Sequence, residues 1–162
     1  MADVTPIKKL LVANRGEIAR RIMRTAHDMG ISTVAIFAEG DARAPFVNEA
    51  DTAIFLEGRT STETYLDVEK VINACKRSGA DAVHPGYGFL SENEGFAQAI
   101  IDAGIKWIGP SPEVIGLMGD KLSAKNLMTE AGVPTLPAIE ITDKLNVLKA
   151  ADEIGYPVLV KA

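Results

Sequence analysis

The sequence has 162 residues, of which 47% are apolar and 24% are charged, a composition typical of a globular domain. Its 22 acidic and 17 basic side chains give a net charge of −5, which argues against nucleic acid as a partner because nucleic acid requires a basic surface. No apolar run approaches the ~20 residues of a membrane span, and the single cysteine excludes an internal disulfide, so we expect a cytoplasmic protein that binds no membrane.

Short apolar runs alternate with segments of helical length over the first part of the chain. The apolar runs predict strands over 9–13, 33–37, 52–56, 82–84 and 106–109. The segments between them predict helices over 16–29, 61–76 and 92–103. Ser61 or Thr62 can cap the second helix, and Ser91 with Glu94 predicts a capping box at the start of the third.

This order of strands and helices predicts an α/β fold with a Rossmann-like parallel sheet. Strand–helix–strand units of this kind have right-handed crossovers, and helices cover both faces of the sheet. Ligands bind at the carboxyl ends of the strands in such sheets. The loops over 14–16, 38–50 and 85–91 are therefore predicted to share one functional edge.

The chain changes character after residues 110–112, a Pro-Ser-Pro sequence that is typical of a boundary. A helix is predicted around 122–128, and a second from Asp143 to about Gly155. Residues 158–162 read as a strand with no successor, and we therefore expect a fragment of a longer polypeptide.

The first candidate for chemistry is the segment Asn14-Arg15-Gly16-Glu17 directly after the first strand. Its glycine lets the backbone approach a ligand, and a helix start offers free N–H groups to an anion. A tight strand-to-helix turn without function explains the same residues equally well. Three arginines follow, at 20, 21 and 24, which form either a solvated helix face or a subunit contact.

The second candidate is the loop that begins at His84. Glycines at 86 and 88 and a proline restrict the path of its backbone, with Tyr87 held between the glycines. Exposed loops with a backbone restricted in this way are often functional. His84 alone is better explained as a histidine satisfied at a strand end.

Two lysines occupy unusual places. Lys121 lies where a helix would begin, and a cation there opposes the helix dipole unless it meets an anion such as phosphate. Lys161 ends an apolar strand and must reach either water or an anion. Taken singly, each is explained as an ordinary surface lysine, and Cys75 as a core residue.

Taken together, five motifs make the chain resemble a known family. They are ANRGEIA at 13–19, HPGYGFLSEN at 84–93, IGP at 108–110, MGDK at 118–121 and GYPVLVKA at 155–162. In this order they closely resemble the amino-terminal part of biotin carboxylase, the ATP-dependent component of biotin-dependent carboxylases. The wording APFV at 44–47 and WIGPSP at 107–112 is most similar to the alpha subunit of acyl-CoA carboxylases of the acetyl/propionyl type.

One residue departs from the family pattern. Many members carry a histidine where this chain has Phe46. We expect Phe46 to pack in the loop after the second strand, where Phe46→His would leave folding nearly unchanged.

The resemblance implies a domain organisation and a set of roles. Residues 1–110 would form the pre-ATP-grasp domain of biotin carboxylase, and residues 111–162 a truncated beginning of the ATP-grasp domain. The implied roles are ATP contact for Lys121 and Lys161, the biotin and bicarbonate cleft for Tyr87, Gly88 and Glu92, and the dimer contact for Arg21, Arg24 and Asp28. No catalytic residue or metal ligand of the family falls in this segment, so we expect the isolated chain to be inactive.

The implied activity is that of an ATP-dependent ligase. The complete enzyme would phosphorylate bicarbonate with ATP and transfer the carboxyl group to N1 of carrier-bound biotin, with Mg²⁺ at the phosphates. Its expected partners are a second copy in a homodimer, the biotin carboxyl carrier domain and a carboxyltransferase subunit. Pyruvate carboxylase, urea carboxylase and, more remotely, carbamoyl-phosphate synthetase remain alternatives, as does a non-catalytic Rossmann-like interaction module.

Overall fold

The computed structural model describes residues 5–119, 121–142 and 146–160, with the backbone alone for 121–123. The chain divides into two compact units, Met1–Gly116 and Leu117–Ala162. The domain boundary predicted between residues 110 and 111 stays a prediction. Among the described residues no helix is both long enough and apolar enough to cross a membrane.

Five strands form one parallel sheet in the order β3-β2-β1-β4-β5. The strands are β1 (Lys9–Val12), β2 (Ser32–Phe37), β3 (Thr52–Phe55), β4 (Ala82–His84) and β5 (Lys106–Trp107). The helices are α1 (Gly16–Asp28), α2 (Pro45–Glu49), α3 (Val68–Ser78), α4 (Glu94–Asp102), α5 (Pro112–Gly119), α6 (Lys121–Glu130) and α7 (Val147–Ile154). The predicted α/β fold with a parallel sheet is confirmed.

Hydrophobic cores lie on both faces of the sheet because successive side chains of a strand point to opposite faces. Leu11 of β1 packs on one side with residues of α3 and α4, including Val71 and Phe96. Val12, its neighbour, packs on the other side with residues of α1 and α2, including Met23. This double covering accounts for the continuous apolar runs that predicted the strands.

Helix α3 begins later than predicted. Residues 61–66 form turns, in which the carbonyl of Ser61 accepts hydrogen bonds from the backbone N–H groups of Thr64 and Leu66. The cap is Asp67, whose carboxylate accepts from the N–H of Lys70 at 3.0 Å. Ser61 and Thr62 therefore lie outside the helix that they were expected to cap.

The capping box predicted for α4 is also wrong. The side-chain oxygen of Asn93 accepts from the N–H of Phe96 at 2.7 Å, so Asn93 is the cap and Glu94 the first helical residue. Ser91 lies in the preceding turn, where its N–H donates to the carbonyl of Gly88 at 2.9 Å. Ser91 thus belongs to the turn that precedes α4, and it does not cap the helix.

Phe46 is not a loop residue. It lies in α2, within the segment expected to be a loop over 38–50, and its side chain is 1% exposed. It is among the largest fully buried side chains and packs in the same core cluster as Met23 and Val12. The expectation that Phe46→His leaves folding nearly unchanged is therefore contradicted by its surroundings.

The second unit contains α6 and α7. Asn146 caps α7 by accepting from the N–H of Lys149 at 3.1 Å, whereas the predicted start, Asp143, lies outside the described residues. Residues 158–160 form no strand, and the described part of this unit offers none to pair with. Lys161 and Ala162 lie outside the described residues.

Candidate functional site

Three loops meet at the carboxyl edge of the sheet, as the parallel order predicts. The first loop follows β1 and the second follows β4, and the two are joined by Asn14. Its buried side-chain amide donates to the carbonyls of Pro85 at 2.7 Å and Tyr87 at 2.8 Å. Its side-chain oxygen accepts from the N–H of Arg15 at 2.9 Å. One residue therefore ties the end of β1 to the loop that begins at His84.

The start of the second loop is fixed from within. The N–H of Gly86 donates to Nδ1 of His84 at 2.9 Å, which requires that nitrogen to be unprotonated. Burial lowers the pKa of His84, so the neutral ring that this hydrogen bond needs is favoured at neutral pH. The explanation of His84 as a satisfied strand-end histidine agrees with these contacts.

Tyr87 stands at the mouth of a cavity of about 250 Å³. Its ring is 58% exposed, and its hydroxyl donates to the carboxylate of Glu17 at the start of α1. This hydrogen bond raises the pKa of Tyr87. The cavity is lined by residues of the first two loops and α1, namely Asn14, Arg15, Glu17, Ile18, Tyr87, Gly88 and Phe89.

The third loop, after β2, reaches the first loop through an ion pair. Arg15 contacts Asp41 at 2.9 Å, and Asp41 also accepts from the hydroxyl of Tyr65 at 2.5 Å. The ring of Tyr65 stacks on that of Phe89 with 5.1 Å between centroids, which connects the third loop with the second. Burial, followed by the hydrogen bond to Asp41, raises the pKa of Tyr65.

Neither Asp41 nor Tyr65 was identified as a site residue from the sequence. Tyr65 lies within the helix predicted over 61–76, and Asp41 lies in a short polar stretch with no motif. Their connection depends on how the loops after β2 and β3 fold over the sheet edge. Sequence spacing carries no signal for such a contact.

A second concavity of about 610 Å³ lies along the exposed side of α1. Arg21, Arg24 and Asp28, the residues expected at a dimer contact, all line it and are all exposed. Arg20 lies there as well and pairs with Glu49 at 2.7 Å. In the part of the chain that the structure describes, Arg21 and Arg24 form no ion pair.

Of the remaining expected site residues, the structure describes the side chain of Glu92 alone. Glu92 is exposed in the turn before α4 and does not line the cavity beside Tyr87. The side chain of Lys121 and the whole of Lys161 lie outside the described residues, so their roles stay predictions. Cys75 is fully buried in the core, and burial raises the pKa of its thiol to about 12.

Comparison with known proteins establishes the family. The family model described as "Biotin carboxylase, N-terminal domain" matches residues 6–115, which include both loops joined by Asn14. The chain belongs to the biotin carboxylase family. A second family model, "Carbamoyl-phosphate synthase L chain, ATP binding domain", matches residues 120–162. The resemblance drawn from the five motifs is confirmed.

Similar proteins cover nearly the whole chain. The biotin-dependent acyl-coenzyme A carboxylase alpha3 subunit of Mycobacterium leprae is 50% identical over 96% of this chain and 26% of that protein. The biotin carboxylase domain dimer of Hydrogenobacter thermophilus 2-oxoglutarate carboxylase, solved with MgADP, ADP and bicarbonate, has a TM-score of 0.84 and 47% identity, over 95% of this chain and 34% of that one. Biotin carboxylase of Campylobacter jejuni, in a β,γ-ATP complex, has a TM-score of 0.86 and 43% identity, over 94% of this chain and 34% of that one. The chain thus spans 26–34% of the length of these proteins.

Other carboxylases are similar to nearly the same degree. A complete multifunctional pyruvate carboxylase from Rhizobium etli has a TM-score of 0.77 and 46% identity, over 83% of this chain and 14% of that one. A putative urea carboxylase of Emericella nidulans is 46% identical over 96% of this chain and 13% of that protein. These small differences in identity do not select one acceptor.

The described residues do not supply a metal site. Within them, no group of three His, Cys, Asp or Glu side chains is placed to hold a metal ion.

Proposed function

We propose that this chain forms the amino-terminal part of a biotin carboxylase, an ATP-dependent ligase that carboxylates carrier-bound biotin. The observation that carries the proposal is the family match over residues 6–115, which contains the cavity beside Tyr87. In such an enzyme a bicarbonate oxygen takes the terminal phosphoryl group of ATP and releases ADP. The carboxyl group then bonds to biotin N1, which loses its proton, while phosphate leaves.

Tyr87 and Gly88 are the proposed contacts for the biotin or bicarbonate substrate, with Glu92 nearby. The cavity beside Tyr87 is lined by a cation, Arg15, and a carboxylate, Glu17, and this polar lining suits a polar ligand such as bicarbonate or the ring of biotin. Lys121 and Lys161 are the proposed phosphate contacts in the segment matched by the ATP-binding family model. Mg²⁺ supplies neutralisation of phosphate charge in reactions of this class.

The proposed assembly has three protein components. Arg21, Arg24 and Asp28 offer an exposed, mixed-charge surface along α1 for a second copy of the enzyme. The biotin carboxyl carrier domain brings the substrate, and a carboxyltransferase subunit consumes carboxybiotin, with acetyl- or propionyl-CoA as the proposed acceptor. The cytoplasmic location expected from the sequence belongs to the same proposal.

Removal of each lysine in the complete enzyme tests the ATP assignment. A charge-assisted contact contributes roughly 1.5–3 kcal/mol, and roughly 1.4 kcal/mol corresponds to tenfold in affinity. Lys121→Ala and Lys161→Ala should therefore each weaken ATP binding roughly 10- to 100-fold in a nucleotide titration, with little change in thermal stability. Lys149→Ala is the control, since Lys149 is exposed on α7, where its ammonium lies 3.9 Å from the carboxylate of Glu153.

The outcomes separate the site from a structural role. Unchanged ATP affinity together with lowered stability would show that the lysines are structural ion-pair partners. The isolated 162-residue chain should show no bicarbonate-dependent ATP cleavage, and activity above that of its Lys121→Ala variant would contradict this expectation.

A further inference from the structure

We propose that Asn14 and Glu17 are positioning residues for Tyr87, Asn14 through the backbone of the loop and Glu17 through the phenol. The inference rests on the proposed function, because Tyr87 serves a reaction only if the cavity beside it takes substrate. It assigns a role to the segment Asn14–Glu17, whose purpose the sequence left open between ligand approach and a plain turn.

The contacts of Asn14 leave it no free side-chain N–H donor for a ligand. An asparagine side chain has two N–H donors and one carbonyl oxygen. Both donors are engaged by the carbonyls of Pro85 and Tyr87, and the oxygen accepts from the N–H of Arg15. With the side chain 4% exposed, these bonds lie in a region where an unpaired polar group is costly. Asn14 therefore holds the second loop in place.

Gly86 shows how closely this contact is built. A Cβ atom at Gly86 would lie 2.8 Å from Nδ2 of Asn14, and the residue adopts a φ of +68° that disfavours side chains. The N–H of Gly86 is held at the same time by His84. The backbone on the amino side of Tyr87 is thus fixed by Asn14 and His84 together.

Glu17 controls the other end of Tyr87. It lies in the first turn of α1, where a carboxylate is favoured by the helix dipole, and it accepts the hydrogen bond of the Tyr87 hydroxyl. The ring of Tyr87 is mostly exposed, so core packing does not fix its direction. The phenol is a protonated donor at neutral pH, and its hydrogen bond to Glu17 raises its pKa further.

A double-mutant cycle in the complete enzyme tests the role of Glu17. The assay is ATP cleavage that depends on bicarbonate and free biotin, with each substrate varied in turn. Glu17→Gln makes the hydrogen bond to the Tyr87 hydroxyl a neutral one, and Tyr87→Phe removes it. Each variant should raise the KM for biotin or bicarbonate roughly threefold to tenfold and leave the KM for ATP unchanged. The double variant should be no worse than Tyr87→Phe alone, because Glu17 acts through the phenol.

Glu69→Gln is the matched control for Glu17→Gln. Glu69 is an exposed carboxylate in the first turn of α3, so it shares the helix-dipole environment but not the cavity. Its substitution should leave all three KM values unchanged.

Asn14→Ser tests the backbone half of the proposal with a variant that keeps one hydroxyl donor. It should raise the same KM as Glu17→Gln and speed amide hydrogen exchange within residues 85–88. Thr33→Val is its control, since Thr33 is also buried and hydrogen-bonded. It lies near the start of β2, at the amino ends of the strands and away from the loops of the site. Thr33→Val should lower stability without raising that KM.

The possible results distinguish this inference from the function on which it rests. An unmodified complete enzyme with no biotin-dependent ATP cleavage would overturn the proposed function and the inference together. An active enzyme in which Glu17→Gln behaves like Glu69→Gln, or in which the Glu17 and Tyr87 effects are additive, would overturn the inference alone. The same holds for Asn14 if Asn14→Ser and Thr33→Val give equal KM values.

Discussion

Phe46→His should destabilise the protein substantially. Phe46 is 1% exposed and shares its core cluster with Met23, Val47 and other apolar side chains. The burial of a phenylalanine contributes about 1.5–3 kcal/mol, part of which a smaller, polar ring forfeits. An imidazole nitrogen left without a partner there costs about 1–3 kcal/mol. We therefore expect a loss of about 2–4 kcal/mol in the free energy of unfolding.

Urea and thermal unfolding followed by circular dichroism measure this loss. At about 3 °C per kcal/mol for a chain of this size, Tm should fall by roughly 6–12 °C. Phe55→His is the matched control, because Phe55 is 42% exposed on the edge strand β3 and its replacement should cost less than about 1 kcal/mol.

The pH dependence of the Phe46→His variant gives a second check. Burial lowers the pKa of an imidazole below its unfolded value of about 6.5, so the unfolded state binds the proton more readily. The folded variant is therefore most stable above about pH 6.5, where the ring is neutral in both states, and its free energy of unfolding decreases as the pH falls below this value. A stability loss no greater than that of Phe55→His, at any pH, would refute the reasoning from burial.

Three further predictions concern groups at or below the site. Burial lowers the pKa of His84, so its contribution to stability is present above about pH 6.5 and is lost at lower pH. The free energy of unfolding in urea should therefore decline from about pH 7.5 to about pH 5.5 in the unmodified protein but not in His84→Gln. The same decline in both proteins would contradict this prediction. Gly86→Ala should lower the free energy of unfolding by about 2–3 kcal/mol, and Gly88→Ala by about 1 kcal/mol. Both glycines have a positive φ, but only Gly86 lies against Asn14. Equal losses of Tm in the two variants would exclude the close contact. Cys75 should resist a thiol reagent in the native protein and react fully in denaturant. Its side chain is 0% exposed, and burial raises the pKa of its thiol to about 12. Rapid labelling of the native protein would show that the thiol is accessible.

The sheet could be predicted from the sequence because its central strands, β1, β2 and β4, are buried on both faces. Apolar runs such as that of β1 have few alternative explanations, and their alternation with helices leaves only parallel pairing. The same rule predicted that the loops after β1, β2 and β4 share an edge, which the contacts of Asn14 and Arg15 confirm.

Helix starts were predicted less well because several residues compete to cap them. Ser61 and Thr62 have suitable side chains, but the turns over 61–66 engage that backbone first and leave Asp67 to cap α3. Ser91 loses to Asn93 in the same way. Capping preference identifies candidates within a few residues, and only the path of the preceding loop selects one.

The purpose of the segment Asn14–Glu17 could not be predicted, because its partners lie about 70 residues away in the chain. A lone glycine before a helix indicates either a turn or an anion site. Both explanations involve only the loop that contains the glycine. The structure instead directs both polar side chains to the loop after β4, with Asn14 buried and Glu17 exposed. Their difference in burial separates the two effects experimentally: the loss of Asn14 should appear in stability as well as in KM, and the loss of Glu17 in KM alone.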